Sequence, residues 1–176
     1  MKAGVSSIDF SDGGVAHDPL ATGPCSIDRA ARAMTLQLRR AGDLDLPFAR
    51  DLTRRGMLRY YCEFDLLWRD EAFDQAWGWR EQWLVMDDER RLGFCSLSQD
   101  MRALYIRELH IARECHGRGT GTWVLRELNA WAAQRRLSWL RLTVFKTNPA
   151  RQLYLREGFR EEGTEECFIR MQRSVR

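Results

Sequence analysis

The 176-residue sequence lacks the features that would place it in several special classes of protein. No apolar run approaches the roughly 20 residues that a membrane-spanning helix needs. The five cysteines are scattered, and no CxxC or His-x-x-x-His spacing indicates a metal site. Neither sign of charge dominates, because 28 basic and 25 acidic residues leave a net charge of +3. We therefore expect a cytoplasmic protein without metal or membrane, whose charge permits an anionic cofactor and does not require nucleic acid.

The first 33 residues differ in composition from the rest of the chain. They contain Gly-Gly, Asp-Pro and Gly-Pro pairs, and they show little apolar periodicity. They also lack the charged start and the continuous apolar run of a secretory signal. We therefore expect residues 1–33 to be an unfolded leader and residues 34–176 to form one domain. Met34 is then an alternative natural start to Met1.

Strand-like and helix-like segments are mixed along the domain, and no internal repeat is visible. Apolar alternation and short apolar runs predict strands over 35–39, 82–86, 92–97, 103–111, 137–145 and 166–171. Helical spacing and capping residues predict helices near 46–61, 71–80, 120–136 and 149–157. Because hairpins and helices alternate irregularly, the class is α+β or mixed α/β.

A glycine-rich turn after the strand at 103–111 is the most informative segment. It carries Gly117, Gly119 and Gly121, and apolar residues at helical spacing follow it. The unpaired N–H groups and the dipole at such a helix start form an anion site, most often for phosphate. Glycine allows the backbone to approach the ligand closely, and Arg118 adds a positive charge.

This turn does not match two well-known phosphate loops. It lacks the GxxxxGK[ST] pattern of nucleotide-triphosphate sites. Val124 stands where the dinucleotide fingerprint has its last glycine, and the turn comes late in the chain rather than after a first strand. From the turn alone, an ordinary strand-to-helix connection remains an alternative.

A second motif lies downstream, where residues 148–159 read NPARQLYLREGF. Asn148 and Pro149 suit the start of a helix. Together with HGRGTG at 116–121, this motif resembles the GNAT superfamily of N-acetyltransferases. Those proteins carry a Q/RxxGxG/A pyrophosphate loop, followed by an Asn and a Tyr in a helix that ends at Gly-Phe. In this chain His116 replaces the usual Gln or Arg, and the resemblance extends over about residues 34–171.

The resemblance implies a mostly antiparallel mixed sheet flanked by helices, with a splay between the fourth and fifth strands. It also implies that acetyl-CoA is the donor and that the acetyl group passes directly to a primary amine of a small molecule or peptide. The residues implied at the cofactor are Leu109, His110 and Ile111 in the splay, His116, Gly117, Arg118, Gly119, Thr120 and Gly121 at the pyrophosphate, and Asn148 at the pantetheine arm.

The resemblance also suggests which residue protonates the leaving thiolate. Tyr154 matches the tyrosine whose hydroxyl reaches the cofactor sulfur. The alternative for Tyr154 is a core aromatic. Relatives that acetylate protein N-termini often carry a glutamate five residues before the Asn, and Thr143 stands at that position here.

Glu108 is then the candidate that holds the amine or takes its proton. It lies on the fourth strand, where amine-acetylating relatives often have a carboxylate. The alternative is a strand-end carboxylate paired with Arg107 or Arg113. His110 would share the face of Glu108 in a regular strand and is a weaker candidate base.

The aromatic segment before the second strand is the candidate acceptor pocket. Tyr61, Asp65 and Trp68 fall at i, i+4 and i+7, so a helix would place them on one face. A face that mixes rings with a carboxylate suits an amine with an apolar body. Core packing is the alternative for these aromatic residues.

Two other function classes stay open. One is a catalytically silent CoA-binding regulatory module, which the missing glutamate at Thr143 supports. The other is an acetyltransferase acting on a ribosomal protein or a charged tRNA, for which arginine clusters at 54–59 and 135–136 offer a basic surface. The acceptor and the oligomeric state, a homodimer included, are not fixed by the sequence.

Overall fold

The computed structural model describes residues 34–175, so the expected leader at 1–33 lies outside the described residues. Seven strands and four α-helices follow one another along this part of the chain. In order they are β1 Leu36–Arg40, α1 Leu46–Glu63, α2 Asp70–Trp77, β2 Glu81–Asp87, β3 Arg90–Gln99, β4 Ala103–Ile111, α3 Thr120–Gln134, β5 Trp139–Phe145, α4 Ala150–Arg156, β6 Arg160–Glu165 and β7 Phe168–Ser174. In the described part of the chain, no helix is both long and apolar enough to cross a membrane.

All seven strands form one sheet in the order β1-β2-β3-β4-β5-β7-β6. The central β4–β5 pair is parallel, and the other neighbouring pairs are antiparallel. The parallel pair needs a crossover, and α3 supplies it. The predicted mixed, mostly antiparallel sheet flanked by helices is confirmed.

The central pair separates part of the way along its length. β4 and β5 are paired only from Ala103 with Trp139 to Ile106 with Leu142. β4 continues to Ile111 while still paired with β3, and β5 continues while paired with β7. The predicted splay between the fourth and fifth strands is therefore confirmed, and it leaves the facing backbone edges of both strands without a strand partner.

Two helical layers cover opposite faces of the sheet. On one face, buried residues of α3 and α4 pack with those of β4, β5 and β7 in the largest core cluster. On the other face, α1 and α2 pack over β2 and β3, where the ring of Trp77 stacks on Phe94 at 5.7 Å. We call these the α3/α4 face and the α1/α2 face.

A β-bulge in β4 decides which side chains share the α1/α2 face. Ser96 pairs with Glu108 and Leu97 pairs with Ile106, so Arg107 is an extra residue in β4. Regular alternation would place Glu108 on the same face as Ile106, in the apolar core. The extra residue reverses this alternation, so Glu108 shares the face of Tyr105 instead.

Two predicted elements are wrong in detail. The strand predicted over 166–171 is the second half of a hairpin, β6–β7, and Glu166 lies in its turn at φ +47°. The helix carrying Tyr61 ends at Glu63, and Asp65 adopts the left-handed conformation at φ +52°. The helical spacing assumed for Tyr61, Asp65 and Trp68 therefore does not hold, because the chain leaves the helix between them.

Candidate active site

A cavity of about 890 Å³ lies at the splay of β4 and β5. It is reached from both helical layers, because residues of α1 and of α4 line it along with residues of β4, β5 and β7. Seven of the residues predicted from the sequence are among those that line it: Tyr61, Trp68, Glu108, Leu109, His110, Asn148 and Tyr154. Asp65, Ile111 and the residues of the glycine-rich loop are not among the lining residues.

Glu108 is held in this cavity by two partners on the α1/α2 face. His110 Nε2 lies 2.9 Å from Glu108 Oε2, so a proton on that nitrogen is donated to the carboxylate. Arg80 Nη1 lies 3.9 Å from Glu108 Oε1. The expected alternative partner Arg107 instead donates from Nε to Ser98 Oγ at 2.8 Å. The bulge lies before Glu108, so the predicted shared face of Glu108 and His110 is preserved.

A glycine in α1 makes room for the His110 ring. A Cβ atom on Gly56 would lie 3.1 Å from His110 Nδ1. Glycine inside a helix is less favourable than alanine by about 1 kcal/mol, so close approach of the ring is a physical reason for it here. His110 is 9% exposed, which fixes its ring between α1 and β4. Gly56 could not be assigned to the site from sequence, because its contact with His110 joins distant parts of the chain.

Tyr154 approaches the cavity from α4, on the α3/α4 face. Its ring is buried and meets the Phe159 ring edge-on, with 5.8 Å between the ring centroids. Burial, together with the negative charge of Glu108, raises the pKa of Tyr154 to about 12. The hydroxyl therefore keeps its proton at neutral pH and can donate it.

The glycines of the glycine-rich loop are required for two different reasons, backbone conformation and close packing. Gly117 and Gly119 adopt φ values of +73° and +79°, a conformation that side-chain-bearing residues rarely take. A Cβ atom on either would meet nothing within 4 Å, so the loop faces open space. Gly121 is different, because its Cβ would lie 3.0 Å from the Leu153 side chain. The third glycine therefore lets α3 pack against α4.

Two further loop residues have defined environments. A proton on His116 Nε2 is donated to the carbonyl oxygen of Ile111 at 2.7 Å, which ties the loop to the end of β4. Thr120, in the first turn of α3, has a buried hydroxyl with no hydrogen-bond partner among the described residues. The loop is thus anchored to β4 through His116, and the Thr120 hydroxyl is its one buried side-chain group without a partner among the described residues.

Asn148 was predicted to cap α4 and lies one residue before it, because the N-cap position is Pro149. Its side-chain oxygen accepts a hydrogen bond from the N–H of Ala150 at 2.9 Å. Asn148 also lines the cavity. This hydrogen bond and a contact to a ligand are compatible, because the bond does not use the amide NH₂ group of Asn148.

The aromatic residues of the predicted acceptor pocket meet at the end of α1. Tyr61 packs edge-on against Trp68 at 5.5 Å and against Phe145 at 5.9 Å. The indole N–H of Trp68 donates to Asp70 Oδ1 at 2.6 Å. Burial raises the pKa of Tyr61, and the nearby charge of Glu108 raises it as well. Tyr61 and Trp68 therefore form an aromatic wall of the cavity, and Asp65 does not contribute to it.

Sequence reasoning missed four arginines that line the cavity: Arg80, Arg107, Arg141 and Arg170. Arg141 and Arg170 stand at alternate positions of β5 and β7, between residues that face the core. That alternation is a signal in the sequence, although it does not reveal that both strands present arginine to one cavity. Within residues 34–175, no three His, Cys, Asp or Glu residues are grouped as metal ligands.

Comparison with known proteins identifies the fold family. Residues 79–161 match the family model described as an acetyltransferase (GNAT) domain. No curated protein matches the sequence significantly. Many solved structures share the fold, and the PaiA N-acetyltransferase from Thermoplasma acidophilum, in complex with coenzyme A, is one of them. It matches with a TM-score of 0.65 and 16% identity, over 80% of this chain and 99% of that one.

Two further structures extend the comparison. The ribosomal-protein-S18-alanine N-acetyltransferase from Escherichia coli matches with a TM-score of 0.65 and 18% identity, over 80% of this chain and 94% of that one. The spermidine N-acetyltransferase from Vibrio cholerae, in complex with CoA and spermine, matches with a TM-score of 0.63 and 20% identity, over 80% and 95%. Residues 79–161 are thus identified by the family model as a GNAT acetyltransferase domain. The described residues share the fold of these solved acetyltransferases.

Proposed function

We propose that this protein is an acetyl-CoA-dependent N-acetyltransferase that passes an acetyl group directly to a primary amine. One observation carries the proposal: Glu108 and Tyr154 line a single cavity from opposite faces of the splayed sheet. Acetyl transfer to an amine needs a group that accepts the amine proton and a group that protonates the leaving thiolate. A carboxylate and a protonated phenol meet those two needs.

The residues around the splay fit acetyl-CoA. The edge of β4 beyond Ile106 has no strand partner on the β5 side, so its backbone is open to an extended amide-containing arm. The open space at Gly117 and Gly119 and the unpartnered hydroxyl of Thr120 suit a pyrophosphate at the start of α3. The relatives crystallised with CoA support this donor. Acetyl-CoA would supply an acetyl carbon already activated as a thioester.

Two side chains of this protein, Glu108 and Tyr154, then accept and donate the protons of the reaction. Glu108, oriented by His110 and Arg80, takes a proton from the ammonium form of the acceptor, directly or through water. The neutral amine forms the new C–N bond as the C–S bond breaks, and its nitrogen then loses a second proton, which replaces, through solvent water, the proton that Tyr154 donates. Tyr154 donates its proton to the departing sulfur, since its raised pKa keeps it protonated. Thr143 lines the same cavity and cannot take the place of Glu108 as a base.

The contacts of the arginine clusters favour a small amine over RNA as the partner. Arg54 and Arg55 both pair with Asp51 on α1. Arg135 donates two hydrogen bonds to the carboxylate of Glu81. Asp51 offsets one of the two charges on α1 and Glu81 offsets that of Arg135, so each cluster keeps less net positive charge for phosphate. The relationship to a ribosomal-protein acetyltransferase keeps a peptide acceptor within the proposal.

The test is an acetyl-CoA assay with a panel of amines, amino acids and peptides, read by free-thiol release and by mass spectrometry of the products. We expect at least one panel member to be acetylated at an amine and to release thiol in step. The control is Tyr154→Phe, which removes one hydroxyl. Tight CoA binding without thiol release or acetylated product from any acceptor would contradict the proposal and support the silent CoA-binding module.

A further inference from the structure

A row of polar side chains crosses the α1/α2 face of the three central strands next to Glu108. Tyr105 pairs across β4–β5 with Arg141, and Arg141 pairs across β5–β7 with Gln172. Thr143 and Arg170 form the next cross-strand pair. Paired residues lie on the same face of a sheet, so these side chains share one surface. All five line the cavity.

Arg141, in this row, and Arg107, next to it on β4, are held by uncharged groups. Arg141 donates from Nε to Gln172 Oε1 and from Nη1 to the hydroxyl of Tyr105, both at 3.2 Å. Arg107 donates to Ser98 and places its guanidinium 4.7 Å from the Tyr105 ring centroid. These contacts fix the guanidinium groups in place through neutral partners, and Asp100 interacts with Arg141 only at longer range, through charge.

The acidic groups near the row do not cancel its charge. Four arginines line the cavity, against the two carboxylates of Glu108 and Glu162, and Glu108 is already paired with Arg80. Asp100 lies behind Tyr105, where its carboxylate accepts the hydroxyl proton of Tyr105 at 2.7 Å. The same carboxylate also accepts hydrogen bonds from the backbone N–H groups of Arg102 and Ala103. Among residues 34–175, no ion pair joins Arg107, Arg141 or Arg170 to a carboxylate.

These charges remain accessible. Arg107 and Arg170 are exposed, and Arg141 is half-buried. Gly163 of β6 leaves room for Arg170, since a Cβ there would lie 2.9 Å from its guanidinium. A cleft lined by one sign of charge attracts ligands of the opposite sign. The planar guanidinium group matches the geometry of carboxylate and phosphate.

We propose that the acceptor is an anionic amine: a primary amine that also carries a carboxylate or phosphate group. The amine lies at Glu108, and the anionic group binds to Arg141 with Arg107 and Arg170 beside it. Glu108 and Tyr105 pair with Ser96 and Ser98, which are two residues apart on β3, so the bulge leaves roughly 7 Å of strand between Glu108 and the Tyr105–Arg141 pair. A spacer of several carbons between the two groups fits this separation. The inference rests on the proposed acetyl transfer and narrows its substrate class.

The proposal distinguishes this protein from a polyamine acetyltransferase. The Vibrio cholerae relative was crystallised with spermine, which is a polycation. A second ammonium group placed at Arg141 and Arg170 would meet like charges and be repelled. The sign of the charge at the far end of the acceptor is therefore the property to test.

Three acceptors of equal length isolate that charge: 6-aminohexanoate, hexylamine and 1,6-diaminohexane. We expect kcat/KM to fall in that order, with 6-aminohexanoate at least about tenfold above hexylamine, as for one hydrogen-bonded charge pair. A fourth probe, 6-aminohexyl phosphate, shows whether phosphate is preferred to carboxylate. A ranking with hexylamine equal to 6-aminohexanoate, or with the diamine first, would overturn the inference.

Matched variants assign the preference to this row of side chains. Arg141→Gln and Arg170→Gln should each lower kcat/KM for 6-aminohexanoate by about tenfold and leave hexylamine within about twofold. Arg55→Gln, on the exposed side of α1, removes the same charge outside the cavity and should change neither. Arg170 is exposed, so its variant keeps the test available if Arg141→Gln does not fold.

Binding measurements separate this inference from the proposed chemistry. Calorimetry with CoA-saturated protein should show tightest binding of 6-aminohexanoate, weakened by Arg141→Gln. If that holds while no amine is acetylated, the anion site stands and the proposed transferase activity fails. If amines are acetylated while all three probes bind equally and Arg141→Gln changes nothing, the activity stands and the anion site fails.

Discussion

The two faces of β4 and β5 carry opposite chemistry on neighbouring residues. Toward α3 and α4 the strands present Leu104, Leu140 and Leu142, all buried in the largest core cluster. Toward α1 and α2 the same strands present Tyr105 and Arg141, which line the cavity. One face is sealed by helices, and the other keeps charged groups accessible.

This difference separates two tasks. The α3/α4 side holds the glycine-rich loop, whose backbone conformation is its main property, and Tyr154, which is fixed by burial. The α1/α2 side holds Glu108 and the arginine row, whose side-chain charges are their main property. We therefore expect changes on the first side to alter donor binding and the leaving group, and changes on the second to alter the choice and activation of the acceptor.

The largest expected effect lies on the α3/α4 side. Tyr154→Phe removes the hydroxyl and keeps the ring that packs on Phe159. General acid catalysis contributes about 10²–10⁴-fold, so kcat should fall toward that range while the Kd for CoA stays unchanged. Steady-state kinetics and calorimetry on the same preparation provide both numbers. An unchanged kcat would make Tyr154 a packing residue only.

The raised pKa of Tyr154 also fixes the sign of a pH effect. The phenol stays protonated as pH rises toward about 12, so loss of its proton should not lower kcat between pH 7 and 10. A falling limb below pH 9 that disappears in Tyr154→Phe would show that this pKa is not raised in the working enzyme.

Glu108→Gln is the matching test on the α1/α2 side. The amide keeps the shape of the side chain and cannot accept a proton, so kcat/KM for the amine should fall by about 10²-fold near neutral pH. The loss should shrink at higher pH, where the free amine is already neutral. The Kd for CoA should not change. Glu89→Gln, in the exposed β2–β3 turn, is the control for loss of one negative charge.

Gly119 tests whether the donor side depends on backbone conformation or on open space. Gly119→Val places a β-branched residue at φ +79° and should weaken CoA binding by at least about tenfold. Gly119→Asn tolerates this conformation but still adds a side chain. Gly42→Val, at φ −111° in open space, is the control for folding. Normal CoA affinity in both Gly119 variants would refute the loop assignment.

The predictable parts of the site are those encoded by short segments. The glycine-rich turn before α3 and the helix start at Asn148-Pro149 each depend on neighbours in sequence, and the sequence predicted both. β6 was missed because REEGTE is polar on both faces at a sheet edge and gives no apolar alternation. The end of α1 before Asp65 likewise has no breaker residue such as proline or glycine to mark it.

The acceptor side depends on contacts between distant segments. Glu108 faces the cavity only because of the bulge at Arg107, and a bulged strand has the same composition as a regular one. Its partner Arg80 comes from the segment between α2 and β2. The pairing of Arg141 with Tyr105 and Gln172 requires the sheet register. These contacts form only when the strands pair in register, so the sequence alone does not reveal them.

The smallest expected effect is a difference in Tm between variants of two arginines, Arg135 and Arg170, which lie on different faces of the sheet. Arg135, at the end of α3, donates to Glu81 Oε1 at 2.6 Å and to Oε2 at 2.8 Å, which joins the α3 layer to β2. Arg135→Gln should lower the free energy of unfolding by about 1 kcal/mol at pH 7, a decrease of about 3 °C in Tm. Arg170→Gln should leave Tm within about 1 °C, because that guanidinium has no carboxylate partner among the described residues.

The pH dependence of this difference follows from Glu81. The hydrogen bonds from Arg135 hold the pKa of Glu81 below its usual range, even though burial alone would raise it. A carboxyl with a lowered folded-state pKa stabilises the protein above its unfolded pKa, about 4.3, and loses that contribution as pH falls through the folded value. The Tm gap between wild type and Arg135→Gln should therefore be constant from pH 7 to pH 5 and close below pH 4. A Tm gap that persists at low pH would show that ionised Glu81 is not the source of the stabilisation by Arg135. Equal Tm values for the two arginine variants at pH 7 would show that Arg135 contributes no more to stability than Arg170.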